Sequence, residues 1–512
     1  MSKITVCFSK PIGTIAPEIY GHFAEHIGGV IYDGIWVGKQ SSIPNVEGFR
    51  LDVLEKFKAL QPAVIRWPGG CFAETYNWRD GVGENRPVRL SWWTKDDGRY
   101  ETNEFGTHEF MRFCELVGAK PYLAVNVTTM TPMDARDWVD YCTSPAGTTT
   151  LAKARENNGR KEPFTVPFWG IGNENWGGGG TMTAEQYALT YRYYATALHN
   201  VTGKSKLVAG ACSVHSYAWA QAFADCLQIK AGTPVPVHAV SLHHYCSGGD
   251  ALHFDKNDWD TLLQSAKKME EYIDEHRKIF LAHDRKDIKL YVDEWGCMHP
   301  KGSEVTKEKY LFEQQSTMRD AVIAAYNLNL FNNRCDFVKM ANIAQISNCL
   351  HALFLVDGEK FTVTPTYYVY DMFKAHQGAT CYSVQTDDEE LSVSASQKDN
   401  VLTITIANLS CKADKSVQLS FADYDGKVRG ITQTTLGDGN MRAHNTFARP
   451  NAVQPTTQKA YISDDIKIPK AGVIALTLIL IKSMKEIVKT AEDCGVTYCV
   501  EAVNRRRKRW RT

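Results

Sequence analysis

The chain has 512 residues, which is long enough for a large barrel with an accessory domain. Its 58 Lys and Arg residues balance its 58 Asp and Glu residues, so the charge gives no argument for binding nucleic acid or an anionic membrane. The 14 cysteines show no C-x-x-C pair, the N-terminus lacks the apolar core of a signal peptide, and no apolar run is long enough to span a bilayer. We therefore expect free thiols in a reducing cytoplasm.

Predicted strands and helices alternate through most of the chain. Alternating apolar residues predict a strand over 3–15, and helical spacing predicts a helix over 48–60 that Pro62 ends. The later segments are strand 63–65, helix 107–117, strand 122–125, a helix capped by Thr131, strand 166–171, a helix from 183, strands 207–209 and 239–243, helix 259–280, strand 288–292, helix 314–330 and strand 337–343. This alternation predicts a parallel α/β fold, a (β/α)8 TIM barrel over residues 16–375.

The pattern changes after residue 375. Residues 401–407 alternate with period two, turn residues recur, and helical spacing is no longer seen. We predict a C-terminal all-β sandwich over 376–481, which the N-terminal strand, 1–15, joins. Residues 482–512 have no place in this scheme: their basic run suits either a solvated end or an anionic surface.

Residues 166–177 are the most informative stretch of the chain. The apolar run 166–171 predicts a short buried strand, and Asn173, Glu174 and Trp176 follow it directly. A carboxylate at a strand end beside an indole suits a site that holds a sugar and protonates it. The alternative is a solvated glutamate at an ordinary strand end.

A second carboxylate pair, Asp293 and Glu294, ends a later predicted strand. Glu174 and Glu294 are about 120 residues apart, three to four βα units at roughly 30 residues each, so a barrel can bring them together across its mouth. Two facing carboxylates suit glycoside hydrolysis, in which one attacks the anomeric carbon and the other protonates the leaving oxygen. Their repulsion and apolar walls, which Trp176 would help to supply, should raise the pKa of the acid. Alternation points only one of Asp293 and Glu294 inward and leaves open which one, and a salt bridge is the alternative role.

Polar residues end three other predicted strands. Glu25 follows the first barrel strand, and Arg66 ends the second, where it could orient a catalytic carboxylate or close a salt bridge at the rim. On the sixth strand, Tyr245 could donate a hydrogen bond to a nucleophilic carboxylate, whereas we expect His244 to be structural. Asn173 could donate a hydrogen bond to the sugar 2-hydroxyl.

A competing signal lies near the N-terminus. His22, Glu25 and His26 match the H-x-x-E-H pattern of inverted zinc peptidases. That pattern must lie on a helix, and Gly21 and Gly28 argue against a helix here. We expect no metal site.

Taken together, the motifs resemble glycoside hydrolase family 51, the α-L-arabinofuranosidases. Residues 169–177 (WGIGNENWG) and 292–295 (VDEW) resemble its acid/base and nucleophile segments. The resemblance covers about residues 1–480. Further segments that match in the family's order are 21–26, 66–70, 76–81, 341–345 and 445–447.

The resemblance implies a (β/α)8 barrel with a C-terminal β-sandwich. It implies retaining hydrolysis of terminal α-L-arabinofuranosides without a cofactor, with an arabinose-containing oligosaccharide as the substrate. It makes Glu174 the acid/base and Glu294 the nucleophile, and it implies a homo-oligomer, often a hexamer. The candidate substrate-binding residues are Glu25, Asn173, Tyr245 and Gln345, which the resemblance implies, with Arg66 and Trp176 beside them.

One position departs from the family. Well-known members carry Asn, a sugar ligand, after the Arg-x-Pro-Gly-Gly segment, and this chain has Cys71 there. A thiol is a poor hydrogen-bond donor. We expect the sugar contact at this position to be weakened or to be supplied by another residue.

Three alternatives stay open at this point. The chain could be a related barrel glycosidase acting on β-xylosides or β-glucans, a zinc peptidase using His22, Glu25 and His26, or a sugar-binding protein without catalysis. Residues 491–505 faintly resemble one helix–strand unit of the ketose 3-epimerase barrels. One unit cannot form a barrel or a site, so we assign it no activity.

Overall fold

The computed structural model describes residues 2–228, 236–300, 309–462 and 465–481. The basic run and the epimerase-like segment, both within 482–512, lie outside these residues. The strands in chain order are β1 Ser2–Thr14, β2 Gly21–Phe23, β3 Asn45–Val46, β4 Phe49–Arg50, β5 Val64–Trp67, β6 Lys120–Val125, β7 Phe168–Ile171, β8 Lys206–Cys212, β9 Ala239–Cys246, β10 Lys289–Cys297, β11 Val338–Ala344, β12 Phe354–Asp357, β13 Lys360–Val363, β14 Thr380–Thr386, β15 Leu391–Lys398, β16 Val401–Asn408, β17 Lys415–Ala422, β18 Lys427–Leu436, β19 Thr456–Ala460, β20 Ile466–Ile468 and β21 Val473–Ile481.

Helices lie between these strands and mostly pack outside them. They are α1 Leu51–Ala59, α2 Thr94–Asp97, α3 Thr107–Val117, α4 Pro132–Thr143, α5 Thr150–Asn157, α6 Ala184–His199, α7 Tyr217–Leu227, α8 Lys256–Ala282, α9 Met318–Asn332 and α10 Pro365–Phe373. Short 3-10 helices span Pro17–Tyr20, Cys71–Thr75, Trp78–Gly81 and Lys374–His376. Among the residues described, no helix is both long and apolar enough to cross a bilayer.

Eight parallel strands close into a barrel, which confirms the predicted (β/α)8 fold. They follow the chain in the order β2, β5, β6, β7, β8, β9, β10 and β11, and β11 pairs back with β2. Such strands are buried on both faces and are therefore almost continuously apolar. A layer of side chains fills the barrel: Val64, Tyr122, Phe168, Val208, Ala239, Tyr291 and Met340. This layer lies near the starts of the strands. The polar side chains inside the barrel lie beyond it, at the carboxyl ends of the strands.

Helix starts follow the capping residues. The predicted start at Thr131 is confirmed, because its hydroxyl accepts from the amide of Asp134 and the Asp134 carboxylate reaches back to Thr131. The predicted start of α9 at residue 314 is wrong, since Thr317 and Asp320 form a capping box that begins this helix at Met318. The segment predicted as helix 48–60 begins as strand β4 and turns helical only at Leu51.

The last strands form one nine-stranded sheet that encloses its own apolar cluster, as predicted for a sandwich. Strand β1 lies inside it, antiparallel to β14 and parallel to β17, so the N-terminal strand joins this unit. The sheet curls over: Gln433 Nε2 on β18 donates to the carbonyl of Lys467 on β20, although these strands lie near opposite ends of the sheet order. Ile4, Ile404, Ile466 and Leu476 meet in the cluster.

A loop of the sandwich returns to the barrel. Asn445, in one of the family-like segments, is fully buried and donates to the carbonyl of Val363. The amide of Met318, at the start of α9, donates to the carbonyl of Ala443. These contacts tie the sandwich to β13 and to α9, the helix that follows the strand of Glu294.

Candidate active site

Arg66 occupies the centre of the polar layer at the carboxyl end of the barrel. It lies on β5 and is 2% exposed. Its Nη1 donates to Glu294 Oε1 at 2.6 Å, and its Nη2 donates to Asn173 Oδ1 at 2.7 Å. Its Nε lies 3.5 Å from Asp293 Oδ2, and its guanidinium stacks 4.8 Å from the ring centroid of Phe23. One cation therefore organises residues from three other strands or their loops.

Asp293 and Glu294 both face the barrel interior. Strand β10 shifts its register between Val292 and Trp295 against β11, and this irregularity overrides the simple alternation. Glu294 Oε2 accepts a hydrogen bond from Tyr245 at 3.0 Å and lies towards the barrel mouth. Asp293 is 1% exposed and is held below by Tyr122, whose hydroxyl donates to Oδ2 at 2.8 Å. The predicted strand end at residue 292 is wrong, since β10 continues to Cys297.

His243 bridges the two sides of the site. Its Nε2 lies 2.9 Å from Asp293 Oδ1, and its Nδ1 lies 2.8 Å from Glu174 Oε1 and 3.5 Å from Glu294 Oε1. Burial lowers the pKa of His243, but three neighbouring carboxylates outweigh it and raise this pKa to about 10. The ring is therefore an imidazolium between carboxylates at neutral pH.

Glu174 lies just beyond β7, with a left-handed backbone at φ +44°. Burial raises its pKa, but the hydrogen bond and charge of His243 outweigh burial, and the net pKa lies below its usual value. The expectation of a raised pKa at Glu174 is therefore wrong, because the neighbouring group that dominates is a cation rather than Glu294. An oxygen of Glu174 and one of Glu294 lie within 4.8 Å of each other.

Glu25 and Gln345 form the opposite wall. Glu25 Oε1 accepts from the amide of Phe72 at 3.0 Å and from Trp93 Nε1 at 3.1 Å. Gln345 Oε1 accepts from the amide of Glu25 at 3.0 Å. Burial and the charge of Glu294 raise the pKa of Glu25 to about 7, so its carboxyl changes charge near neutral pH.

The segment after β5 brings its backbone against the carboxylates. A Cβ on Gly70 would lie 2.7 Å from Glu294 Oε1, and one on Gly69 would lie 2.6 Å from the Glu25 side chain, so only glycine fits at either position. Cys71 follows, with its Sγ 4.0 Å from Asn173 Nδ2. Burial raises the pKa of the Cys71 thiol far above its usual value, and the carboxylates of Glu25, Glu174, Glu294 and Glu74 add to this, so it stays a neutral thiol.

Trp176 is half-buried, and its ring packs edge-on against His215 at 5.3 Å between centroids. The indole that donates directly to a carboxylate of the site is Trp93, which the sequence reasoning did not single out. His243, Tyr122 and Glu74 were also missed. Period-two alternation along β9 contained the signal for His243, since residues 243 and 245 face one side and 244 the other. His244 Nε2 indeed bonds the carbonyl of Ser265 on the outer helix α8, as expected for a structural residue.

Comparison with known proteins places this geometry in a family. Models described as α-L-arabinofuranosidase 1 domain and α-L-arabinofuranosidase C-terminal domain match residues 56–260 and 293–471. A Bacteroides ovatus protein named intracellular exo-α-L-arabinofuranosidase is 36% identical over 93% of this chain and 95% of its own length. The chain belongs to glycoside hydrolase family 51, the α-L-arabinofuranosidases.

Solved family 51 structures have the same fold. A GH51 arabinofuranosidase from Xanthomonas axonopodis pv. citri is 34% identical, with a TM-score of 0.86 over 93% of this chain and 99% of that chain. The α-L-arabinofuranosidase from Thermotoga maritima, solved as an arabinose complex, is 26% identical, with a TM-score of 0.82 over 94% of this chain and 100% of that chain. The resemblance carried by residues 169–177 and 292–295 is thus confirmed for the family.

The geometry contradicts the zinc-peptidase alternative. His22 packs between the rings of Phe57 and Tyr370, on the outer side of the barrel. The nitrogens of His26 are occupied by Trp67 Nε1 at 3.0 Å and Glu101 Oε2 at 2.9 Å. These histidines therefore point away from any shared metal position.

Two groups among the described residues have the spacing to hold an ion. One is Glu174, His243 and Glu294, where Arg66 already supplies the compensating charge. The other is Cys297, His299 and Asp320, fully inside the protein. There the Asp320 carboxylate already contacts His299 and accepts from the amide of Thr317 in the capping box of α9. Arg319 Nη2 lies 3.2 Å from His299 Nε2. A bound cation would face a guanidinium at either place, so neither group fits a metal well.

Replacing His243 with Gln should destabilise the protein by about 3–5 kcal/mol at pH 6, because it removes the imidazolium that lies between the carboxylates of Asp293 and Glu174. The raised pKa of His243 sets the pH dependence of this effect. The stability that His243 contributes is complete below the pKa of the unfolded chain, near 6.5, and is lost as pH rises through about 10. Urea unfolding at pH 6, 8 and 10 should show that the difference in free energy of unfolding between the variant and the wild type narrows as pH rises.

His244→Gln is the matched control. Its ring faces the helix layer, and burial lowers its pKa, so its contribution does not fade between pH 6 and 10. A loss of unfolding free energy in His243→Gln that stays constant or grows from pH 6 to 10 would contradict an imidazolium in the folded protein.

Proposed function

We propose that the chain is a retaining, exo-acting α-L-arabinofuranosidase that releases terminal arabinofuranose from arabino-oligosaccharides or arabinoxylan fragments. The observation that carries the proposal is the approach of Glu174 and Glu294 oxygens to within 4.8 Å at the mouth of a family 51 barrel. Retaining glycosidases hold their two carboxyl groups about 5–5.5 Å apart, whereas inverting enzymes need about 6.5–9.5 Å to admit a water. The spacing supports double displacement.

Glu294 is the proposed nucleophile. Arg66 and Tyr245 each donate to one of its oxygens, which fixes the carboxylate and balances its charge. In the first step a Glu294 oxygen forms a bond to the anomeric carbon while the bond to the leaving oxygen breaks. The result is a covalent glycosyl-enzyme ester.

Glu174 is the proposed acid/base, and it shares one proton with His243. Nε2 of His243 donates to Asp293, so the remaining proton lies between Nδ1 and Glu174 Oε1, 2.8 Å apart. As the bond to the leaving oxygen breaks, the shared proton passes through Glu174 to that oxygen, which leaves Glu174 ionised beside a neutral imidazole. In the second step Glu174 accepts a proton from water as the water attacks the anomeric carbon and releases Glu294.

The other wall residues are proposed to hold the sugar. Glu25 and Gln345 offer carboxyl and amide groups opposite the catalytic pair, and Asn173 and Tyr245 touch Arg66 and Glu294 from the sides. Cys71 lines the same space with a neutral thiol in place of an amide, so it contributes packing rather than a strong hydrogen bond. We propose that Arg66 acts through Glu294 and Asn173, and that Trp176 borders the leaving-group side.

Two further points of the proposal rest on relatives, and the domain boundaries rest on the strand order. The Bacteroides ovatus relative is named an intracellular exo-enzyme, which supports exo action and a cytoplasmic location for this chain. Resemblance to family 51 supports a homo-oligomer, with a hexamer as the specific proposal. The domain boundaries 1–15, 16–375 and 376–481 are supported by the strand order, since β1 joins β14 to β21 in one sheet while β2 and β5 to β11 close the barrel. The proposed tail, 482–512, lies outside the described residues.

A panel of 4-nitrophenyl glycosides tests the function. We expect turnover of the α-L-arabinofuranoside to exceed that of the β-D-xyloside and the β-D-glucoside by at least about 100-fold, a discrimination of roughly 2.7 kcal/mol in transition-state binding. Equal or faster turnover of the xyloside or glucoside would point to the related barrel glycosidases instead. Binding without product release would indicate a sugar-binding protein.

Glu294→Ala should lower turnover of an aryl arabinofuranoside by about 10⁴-fold or more, because no covalent intermediate can form. Azide or formate should restore part of the rate, since a small anion fits the space that the carboxylate leaves. Asp293→Asn is the companion variant, and anions should not rescue it because Asp293 is buried below the cavity. Substantial residual activity in Glu294→Ala would remove the nucleophile assignment.

Glu174→Ala should lower turnover of arabino-oligosaccharides by about 10²–10⁴-fold, because their leaving groups need protonation. Turnover of the 2,4-dinitrophenyl arabinofuranoside should fall much less in its first step, since that leaving group departs as an anion. Rates of intermediate formation from stopped-flow bursts separate this step from hydrolysis of the ester. Equal losses of that first step on both substrates would contradict the acid/base role.

A further inference from the structure

Glu74 is a fully buried carboxylate to which the mechanism above gives no role. It lies on the 3-10 helix that follows β5 and is 0% exposed. Five donors converge on its two oxygens. They are the amide of Val127 at 2.9 Å, the amide and hydroxyl of Thr128 at 3.1 and 2.7 Å, the amide of Asn173 at 2.7 Å and Nδ2 of Asn175 at 3.0 Å.

The two oxygens of Glu74 serve two different loops. Oε2 accepts all three bonds from the loop after β6, at residues 127 and 128. Oε1 accepts both bonds from the loop after β7, and these come from the residues immediately before and after Glu174. The carboxylate therefore ties both flanks of Glu174 to the neighbouring loop of the barrel.

The loop that carries Glu174 needs such support. Glu174 has φ +44°, a left-handed conformation that a residue with a side chain rarely adopts unless its surroundings hold it. The chain then doubles back: Nδ2 of Asn175 also donates to the carbonyl of Gly179 at 2.8 Å, and a Cβ on Gly179 would lie 1.6 Å from the carbonyl oxygen of Asn173. The glycines of 177–180 permit this tight return, and Glu74 anchors it from below.

We propose that Glu74 is a positioning residue for the acid/base step, which it controls by holding the backbone on both sides of Glu174. It does not touch the substrate, and its effect reaches the reaction through the placement of the Glu174 carboxyl against His243 and the leaving oxygen. The inference rests on the proposed acid/base role of Glu174. A carboxylate is suited to this task because it offers acceptors on both oxygens and no donor.

Glu74→Gln tests the inference with little change in shape. The amide turns one acceptor into a donor that faces N–H groups, so one of the two loops is released. In the full-length enzyme we expect kcat/KM to fall about 10–100-fold on an arabino-oligosaccharide, and formation of the intermediate from the 2,4-dinitrophenyl arabinofuranoside to fall no more than about threefold. Equal losses on both substrates, or no loss on the oligosaccharide, would overturn the inference.

Glu101→Gln is the matched control. Glu101 is 6% exposed, and its carboxylate also binds one backbone amide, that of Asn103, and two side chains, those of His26 and Tyr32. It does not touch the loop of Glu174. Losing a buried acceptor there should lower both rates by the same factor, through stability alone. The positioning role would be overturned if Glu101→Gln, like Glu74→Gln, lost much more rate on the oligosaccharide than on the 2,4-dinitrophenyl substrate.

Asn175→Ser keeps the test usable if Glu74→Gln does not fold. It removes the side-chain bond from the loop to Glu74, together with the bond from Asn175 to the Gly179 carbonyl, and leaves the carboxylate in place. We expect the same preference for the good leaving group, with a smaller loss on the oligosaccharide, and equal losses would again overturn the inference. If Glu174→Ala shows the leaving-group difference and these variants do not, only the inference on Glu74 fails. If Glu174→Ala itself lacks that difference, the proposed function fails first.

Discussion

The buried guanidinium of Arg66 is the interaction on which the rest of the site depends. It contacts Glu294, Asn173 and Asp293 while stacking on the ring of Phe23. A cation placed in such a core is stable only because carboxylates surround it, and those carboxylates are tolerated only because the cation is there. Removal of either side would leave an uncompensated buried charge, at a cost of about 3–5 kcal/mol. Polar residues on separate strands of the barrel are thereby held in one geometry.

The charge balance of this layer decides how the Glu174 carboxyl is protonated. Arg66 and His243 provide two positive charges against the carboxylates of Asp293, Glu174 and Glu294. The shared proton rests on His243 rather than on Glu174 because the imidazole lies between several carboxylates at once. In the proposed mechanism, esterification of Glu294 removes one negative charge from the group, and the same step passes the shared proton to the leaving oxygen. On that proposal Glu174 is then an ionised carboxylate beside a neutral imidazole, which suits it to accept a proton from the attacking water.

Close backbone approach is the second constraint on the site. Gly69 and Gly70 let the chain pass within van der Waals distance of Glu25 and Glu294, and the glycines of 177–180 let the loop after Glu174 fold back. Glu74, in the segment after β5, binds the loops after β6 and β7 with one carboxylate, so it joins segments from three consecutive barrel strands. The site is therefore built as much from backbone held at short range as from its charged side chains.

The sequence by itself determined the class of fold, the two catalytic candidates and the family. The alternation of strands and helices marked the barrel, the period-two strands marked the sandwich, and residues 169–177 and 292–295 carried the family resemblance. These features are local, because a strand's apolar run, a cap such as Thr131, or a glycine beside a carboxylate is visible within a few residues.

Tertiary structure alone decided which groups meet. The irregularity in β10 turned both Asp293 and Glu294 inward, which alternation along one strand could not show. The pairing of His243 with Glu174 reversed the expected direction of the Glu174 pKa, and Glu74 acquired its importance from loops about 50 and 100 residues later in the chain. Electrostatic shifts and hydrogen-bond networks depend on distances between segments remote in sequence, and only the closed barrel sets those distances.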